Sequence, residues 1–140
     1  MNIASWNQRY ETGIEVIDDQ HRALFSALNE LGEAFRTGTS SAHVDRSLQS
    51  LMAYTVEHFE TEERYMRERN YPGLAEHLAE HARLVGKARE LLDRYADGRP
   101  VTLDVAIFLA NLLKHHINEY DLAMARFFTE QPPTVTVQRL

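Results

Sequence analysis

The sequence predicts an all-α protein: an up-down-up-down antiparallel four-helix bundle with an irregular N-terminal arm. Three observations predict it. Apolar residues recur at spacings of three and four over four long segments. The few prolines all fall between or after those segments. The gaps are about four to six residues, a length that makes consecutive helices antiparallel neighbours. At 140 residues the chain has the length of one domain and can bury one real core.

Residues 1–17 read as an arm, 18–130 as the bundle and 131–140 as a short tail. The first helix is expected over about 19–36, with His21, Leu24, Phe25, Leu28, Leu31 and Phe35 on its inner stripe and Asp18 or Asp19 as its cap. Gly38, among Thr37, Thr39, Ser40 and Ser41, stops it. The second is expected over about 41–69, its stripe running through Leu48, Leu51, Thr55, His58, Phe59, Glu62 and Met66, and Asn70-Tyr71-Pro72-Gly73 breaks it. The third, about 73–96, carries Leu74, His77, His81, Leu84, Ala88 and Leu91 inward and stops before Gly98 and Pro100. The fourth, about 103–129, carries Ala106, Ala110, Leu113, His116, Ile117, Tyr120 and Met124 and ends before Pro132 and Pro133. The Thr134-Val135-Thr136-Val137 run in the tail reads as a possible edge strand.

Composition narrows the chemistry. Fifteen Lys and Arg against 21 Asp and Glu give a net charge of −6, so no basic excess exists to neutralise nucleic acid or anionic lipid. No cysteine is present, which excludes disulfides, thiolate zinc, iron–sulfur clusters and cysteine nucleophiles. The longest apolar stretch, 105–110, is far short of a membrane span, and the N-terminal stretch lacks a basic patch followed by an apolar run. A soluble cytoplasmic protein is the expectation. Seven histidines in so short a chain are the surplus to explain.

Five of them fall on inner stripes: His21, His58, His77, His81 and His116. Burying such groups unpaired costs several kcal/mol each. A single inward histidine is ordinarily a hydrogen-bonded core residue; five on four stripes favour a shared partner. His58-x-x-x-Glu62 and His77-x-x-x-His81 each project from one helix face, one turn apart. Histidine with carboxylate and no thiolate suits iron, manganese, zinc or copper. The set exceeds what one ion needs, and two ions bridged by carboxylates would use it all. A second bridge should then come from the fourth helix. His115 and Glu119 have the better spacing but fall on its outer side; Asp121 flanks the core face, five residues after His116. Aligning positions five apart requires i→i+5 winding, so a π-bulge is expected near 117–120.

At these residues the chain resembles the bacteriohemerythrins, over about residues 6–128. Trp6-x-x-x-Tyr10-x-x-Gly13-Ile14-x-x-Ile17-Asp18-x-Gln20-His21 is similar to the family's opening motif. His58-x-x-x-Glu62-x-x-x-Met66, Tyr71-Pro72 with His77-x-x-x-His81, and His116-Ile117-x-x-x-Asp121 are similar to the three that follow. The resemblance implies two iron ions in a non-haem, oxo- or hydroxo-bridged centre. One iron would take His77, His81 and His116, the other His21 and His58 with an open position, and Glu62 and Asp121 would bridge them. It implies reversible dioxygen binding for storage, delivery or sensing, with no enzyme activity beyond a minor peroxidase-like or oxidase one. An oxygen-consuming enzyme or a separate signalling protein would be the partner, and a monomer is expected. Leu24, Phe25, Phe59, Leu113 and Ile117 are expected to wall the oxygen pocket. The family often has Trp-Leu where this chain has Leu112-Leu113, so a smaller side chain at 112 is expected to loosen the pocket wall or the layer behind it.

Three other readings compete. A ferroxidase-type or oxidase di-iron enzyme of ferritin kind would use Glu-x-x-His pairs, and no glutamate here has histidine three residues later. A nitric oxide-binding or sensing module would use the same bundle. His77-Leu78-Ala79-Glu80-His81 matches an inverted zinc-peptidase pattern, but Glu80 points away from the face the two histidines share. His43 and His115 read as surface residues. Trp6 and Tyr10 read as packing the arm over the bundle end, and Glu57, Glu60 and Glu63 with Arg64 and Arg67 read as a solvated face.

Overall fold

A computed structural model describes residues 2–38, 41–97 and 102–130. After a one-turn 3-10 helix, Gln8–Tyr10, come α1 (Glu15–Thr37), α2 (Ser41–Glu68), α3 (Leu74–Ala96) and α4 (Leu103–His116). A π turn, Ile117–Asp121, leads without a break into α5 (Leu122–Glu130), so α4, the turn and α5 form the fourth rod of the bundle. α1 packs on α2 and α4, and α2 packs on α3. Among the described residues no helix is long and apolar enough to cross a membrane. The expected edge strand at 134–137 lies outside the described residues.

The stripes bury as their spacing requires. Leu24, Leu28 and Leu31 of α1, Leu48 and Leu51 of α2, and Ala106, Ala110 and Leu113 of α4 form one apolar cluster. Ile17, Met66 and Met124 form a second, beyond the histidines. The polar layer therefore lies between two apolar ones, shielded from both ends of the bundle.

α1 starts four residues earlier than the stripe alone suggested. Its N-cap is Ile14, with no side-chain cap, and Asp18 lies inside the helix rather than at its boundary. Asp18 is buried because it serves the arm instead. It accepts from the Thr12 amide (2.8 Å), the Thr12 hydroxyl (2.8 Å) and the Gly13 amide (3.2 Å). Gly13 has φ +86°, a left-handed conformation that glycine adopts without steric cost. Asn29 ties down the beginning of the arm, accepting from the amides of Ile3 and Ala4 (both 2.9 Å) and donating to the Ala4 carbonyl (2.7 Å). Trp6 and Tyr10 then lay their rings against Phe25, with centroids 5.4 and 5.3 Å away.

The stops follow local chemistry. Gly38 ends α1 at φ +70°, its amide donating to the Ala34 carbonyl. Asn70, with φ +54°, ends α2 in a Schellman motif. There the Tyr71 amide donates to the Met66 carbonyl (3.0 Å) and the Asn70 amide to that of Arg67 (3.3 Å).

Candidate metal centre

All four rods contribute to one buried polar layer. α1 supplies His21, α2 supplies His58 and Glu62, α3 supplies His77 and His81, α4 supplies His116 and the π turn supplies Asp121. Each is at most 2% exposed, so none has water as an alternative partner. Two groups can be drawn, each with ligand atoms within 4.8 Å of one another: Glu62, His77, His81, His116 and Asp121; and His21, His58, Glu62 and Asp121. Glu62 and Asp121 belong to both.

The carboxylates divide their oxygens between the two groups. Glu62 Oε1 lies 2.9 Å from His81 Nε2, 3.3 Å from His77 Nε2 and 3.8 Å from His116 Nε2. Its Oε2 lies 2.8 Å from His58 Nε2 and 3.4 Å from His21 Nε2. Asp121 Oδ1 lies 3.0 Å from His116 Nε2 and 3.1 Å from His77 Nε2, while Oδ2 lies 2.8 Å from His21 Nε2. Every imidazole therefore presents Nε2 inward.

Asp121 reaches this layer through the π turn. At its end the Leu122 amide donates to the Ile117 carbonyl, five residues back. That winding turns a five-residue separation into one helix face, as the positions of His116 and Asp121 demand. His115 and Glu119, which have ordinary α spacing, are exposed.

The donor set fits a pair of metal ions. His58 Nε2 and Glu62 Oε2 are 2.8 Å apart, and His116 Nε2 and Asp121 Oδ1 are 3.0 Å apart, yet all four atoms are buried without a hydrogen bond. These short contacts therefore lack hydrogen-bond alignment. Buried orphan donors and acceptors are costly, and several in one layer call for a cation. Nitrogen and oxygen donors without thiolate suit iron, manganese, zinc or copper.

Electrostatics agree. Burial alone would push the rings down, but the carboxylates of Asp121 and Glu62 outweigh it. His21 is raised to about 9, His77 to about 8 and His116 to about 10. Burial pushes Asp121 up, as does the charge of Glu62, but the His116 and His21 rings hold its carboxyl well below the usual range. Glu62 is likewise held low: burial is outweighed by His58, His116 and His21. Without a metal, the two carboxylates favour protons on His21, His77 and His116. A metal ion competes for those same nitrogens.

Two inward rings have outer partners to which the sequence reading gave no such role. His58 Nδ1 lies 2.9 Å from Gln20 Oε1. His81 Nδ1 lies 2.9 Å from Glu63 Oε2, so Glu63 is not simply part of a solvated face. Aromatic rings cover the layer: Phe59 stacks on His81 (3.8 Å, 7°), and Tyr120 stacks on His116 (5.4 Å, 16°). Trp6, packing on Phe25, also comes within 6.2 Å of His21.

Beside the layer is an apolar cavity of about 50 Å³. Leu24, Phe59 and Leu113 line it, and so do Thr55, Leu109 and Leu112. Phe25 and Ile117 are not among its walls. Phe25 is engaged with Trp6 and Tyr10, and Ile117 is fully buried in the apolar cluster.

Residues 12–127 match the family model described as Hemerythrin HHE cation binding domain. A bacteriohemerythrin of Methylococcus capsulatus is 32% identical over 123 residues, covering 86% of this chain and 93% of that protein. A myohemerythrin of Riftia pachyptila is 28% identical, over 83% of this chain and 86% of that one. A crystal structure of wild-type hemerythrin superposes with a TM-score of 0.82 at 31% identity, covering 86% of this chain and 94% of that one.

Proposed function

Because the chain belongs to the hemerythrin family, known for oxygen binding at a di-iron site, we propose that it binds dioxygen reversibly at a non-haem di-iron centre. The service is oxygen storage, delivery or sensing. One observation carries this reading: Glu62 and Asp121 each turn one oxygen toward His77 and His116 and the other toward His21. Two carboxylates bridging unequal histidine sets would use such an arrangement.

Two iron ions, joined by an oxo or hydroxo group, would supply the electrons for dioxygen binding and an open coordination position. His77, His81 and His116 would hold one iron; His21 and His58 would hold the other and leave that position free. Glu62 and Asp121 would bridge the pair and offset its charge with two carboxylates, where neutral imidazoles cannot. Leu24, Phe59 and Leu113 support the reading as walls of a small, mostly apolar cavity, a lining that offers water few hydrogen-bond partners. Water exclusion matters because loss of a charged, reduced oxygen species into solvent would leave an oxidised, inactive site.

The full chain, reduced without oxygen and then exposed to air, tests the proposal. A colourless solution should develop a visible absorption band that disappears when oxygen is removed, over repeated cycles. Immediate irreversible oxidation, or sustained oxygen consumption with turnover, would contradict it.

A further inference from the structure

The two histidine sets differ in charge just outside the ligands. On the three-histidine side, His81 Nδ1 is 2.9 Å from the carboxylate oxygen Oε2 of Glu63. On the two-histidine side, His58 Nδ1 is 2.9 Å from Oε1 of Gln20, a neutral amide. Both contacts make Nδ1 the donor, fix the tautomer and leave Nε2 free to face inward.

Neither contact is loose. The Gln20 amide nitrogen donates to the Thr61 hydroxyl (3.1 Å), and that hydroxyl donates to the Glu57 carbonyl (3.1 Å). This chain orients the amide so that oxygen, not nitrogen, meets His58. Glu63 is three quarters buried at the side chain, and its other oxygen lies 3.9 Å from the Arg67 guanidinium. It also lies in an open groove between α2 and α3, with Glu60 and Arg89 alongside.

We propose that Glu63 is a charged positioning residue that makes His81 the stronger donor, so that the three-histidine half of the centre holds metal more tightly than the half served by Gln20. This inference rests on the two-metal reading above. A carboxylate partner on an imidazole N–H raises the basicity of the opposite nitrogen, whereas an amide partner orients the ring with a weaker effect. The half with fewer imidazoles, and a neutral outer partner, is the one left more weakly ligated and open to an incoming molecule.

Cobalt(II) titration of the metal-free full chain, followed by visible absorption, reads the two halves without any oxygen chemistry. The native chain should take up two equivalents in two separable steps. Glu63→Gln keeps an acceptor oxygen and loses the charge, so it should weaken the tighter step about 10–100-fold and leave the other in place. Gln20→Glu should tighten the weaker step and bring the two together. Helicity of each metal-free variant, measured alongside, should equal that of the native chain. If Glu63→Gln titrates like the native chain, or weakens both steps equally, the inference is overturned. No cobalt uptake by the native chain would overturn the two-metal reading as well.

Discussion

Glu62 faces all five inward imidazoles, within 2.8–3.8 Å, from a position with no solvent exposure. Replacing it with alanine leaves Asp121 alone to balance the layer. Glu62→Ala should lose bound metal and about 3–5 kcal/mol of stability, the usual cost of removing one member of a buried charged set; metal content and denaturant unfolding check both. The same residues set a pH dependence for the metal-free chain. His21, His77 and His116 stand at about 9, 8 and 10 when folded, above their ordinary 6.5. Their contribution to stability is therefore complete below pH 6.5 and lost as pH rises through 8 to 10. Asp121 and Glu62 are held low, so their contribution is present above their ordinary values, 3.8 and 4.5, and lost as pH falls. The metal-free melting temperature should be highest between about pH 5 and 7 and drop toward pH 10. The metal-loaded protein should not show that alkaline drop, because metal replaces the protons. At this scale the sequence was informative for ligand types and blind to their outer partners. Five histidines on inner stripes cannot be disguised. Glu63, by contrast, sits four residues before Arg67, and that spacing has the same signature on any solvated helix.

At the scale of elements, the π turn Ile117–Asp121 is what lets the fourth rod serve the site. Its position was legible because His116 and Asp121 are five apart, and no α-helix aligns such a pair. Inserting alanine after Asn118 should swing Asp121 about 100° off the layer and abolish stable metal binding. Deleting Asn118, an exposed residue, should convert the turn to ordinary α winding and keep Asp121 on the same face as His116, so metal content should survive. Equal metal content in the two variants would show that the turn does not set the register. The start of α1 was less legible. Asp18 has the residue type of a cap, but its carboxylate serves the Thr12 and Gly13 amides of the arm, a use that depends on how the arm folds back. Periodicity carries no information about that path. Phe25, named among the expected pocket walls, packs against the arm's Trp6 and Tyr10, contacts that periodicity does not reveal.

For the whole molecule, the polar layer joins all four rods at a level flanked by apolar clusters on both sides. Metal binding there is consequently folding free energy, since the ligands are brought together only in the folded bundle. Removing metal with a chelator under reducing conditions should lower the melting temperature by about 10 °C or more, for metal held at 100-fold or more above its dissociation constant. The shift should vanish in Glu62→Ala. The most direct test of the central claim, that seven side chains from four rods form one two-metal cradle, is elemental analysis of the full chain purified after growth with ample iron. The account predicts two irons per chain; a single tightly held zinc, or one metal ion of any kind, would contradict it.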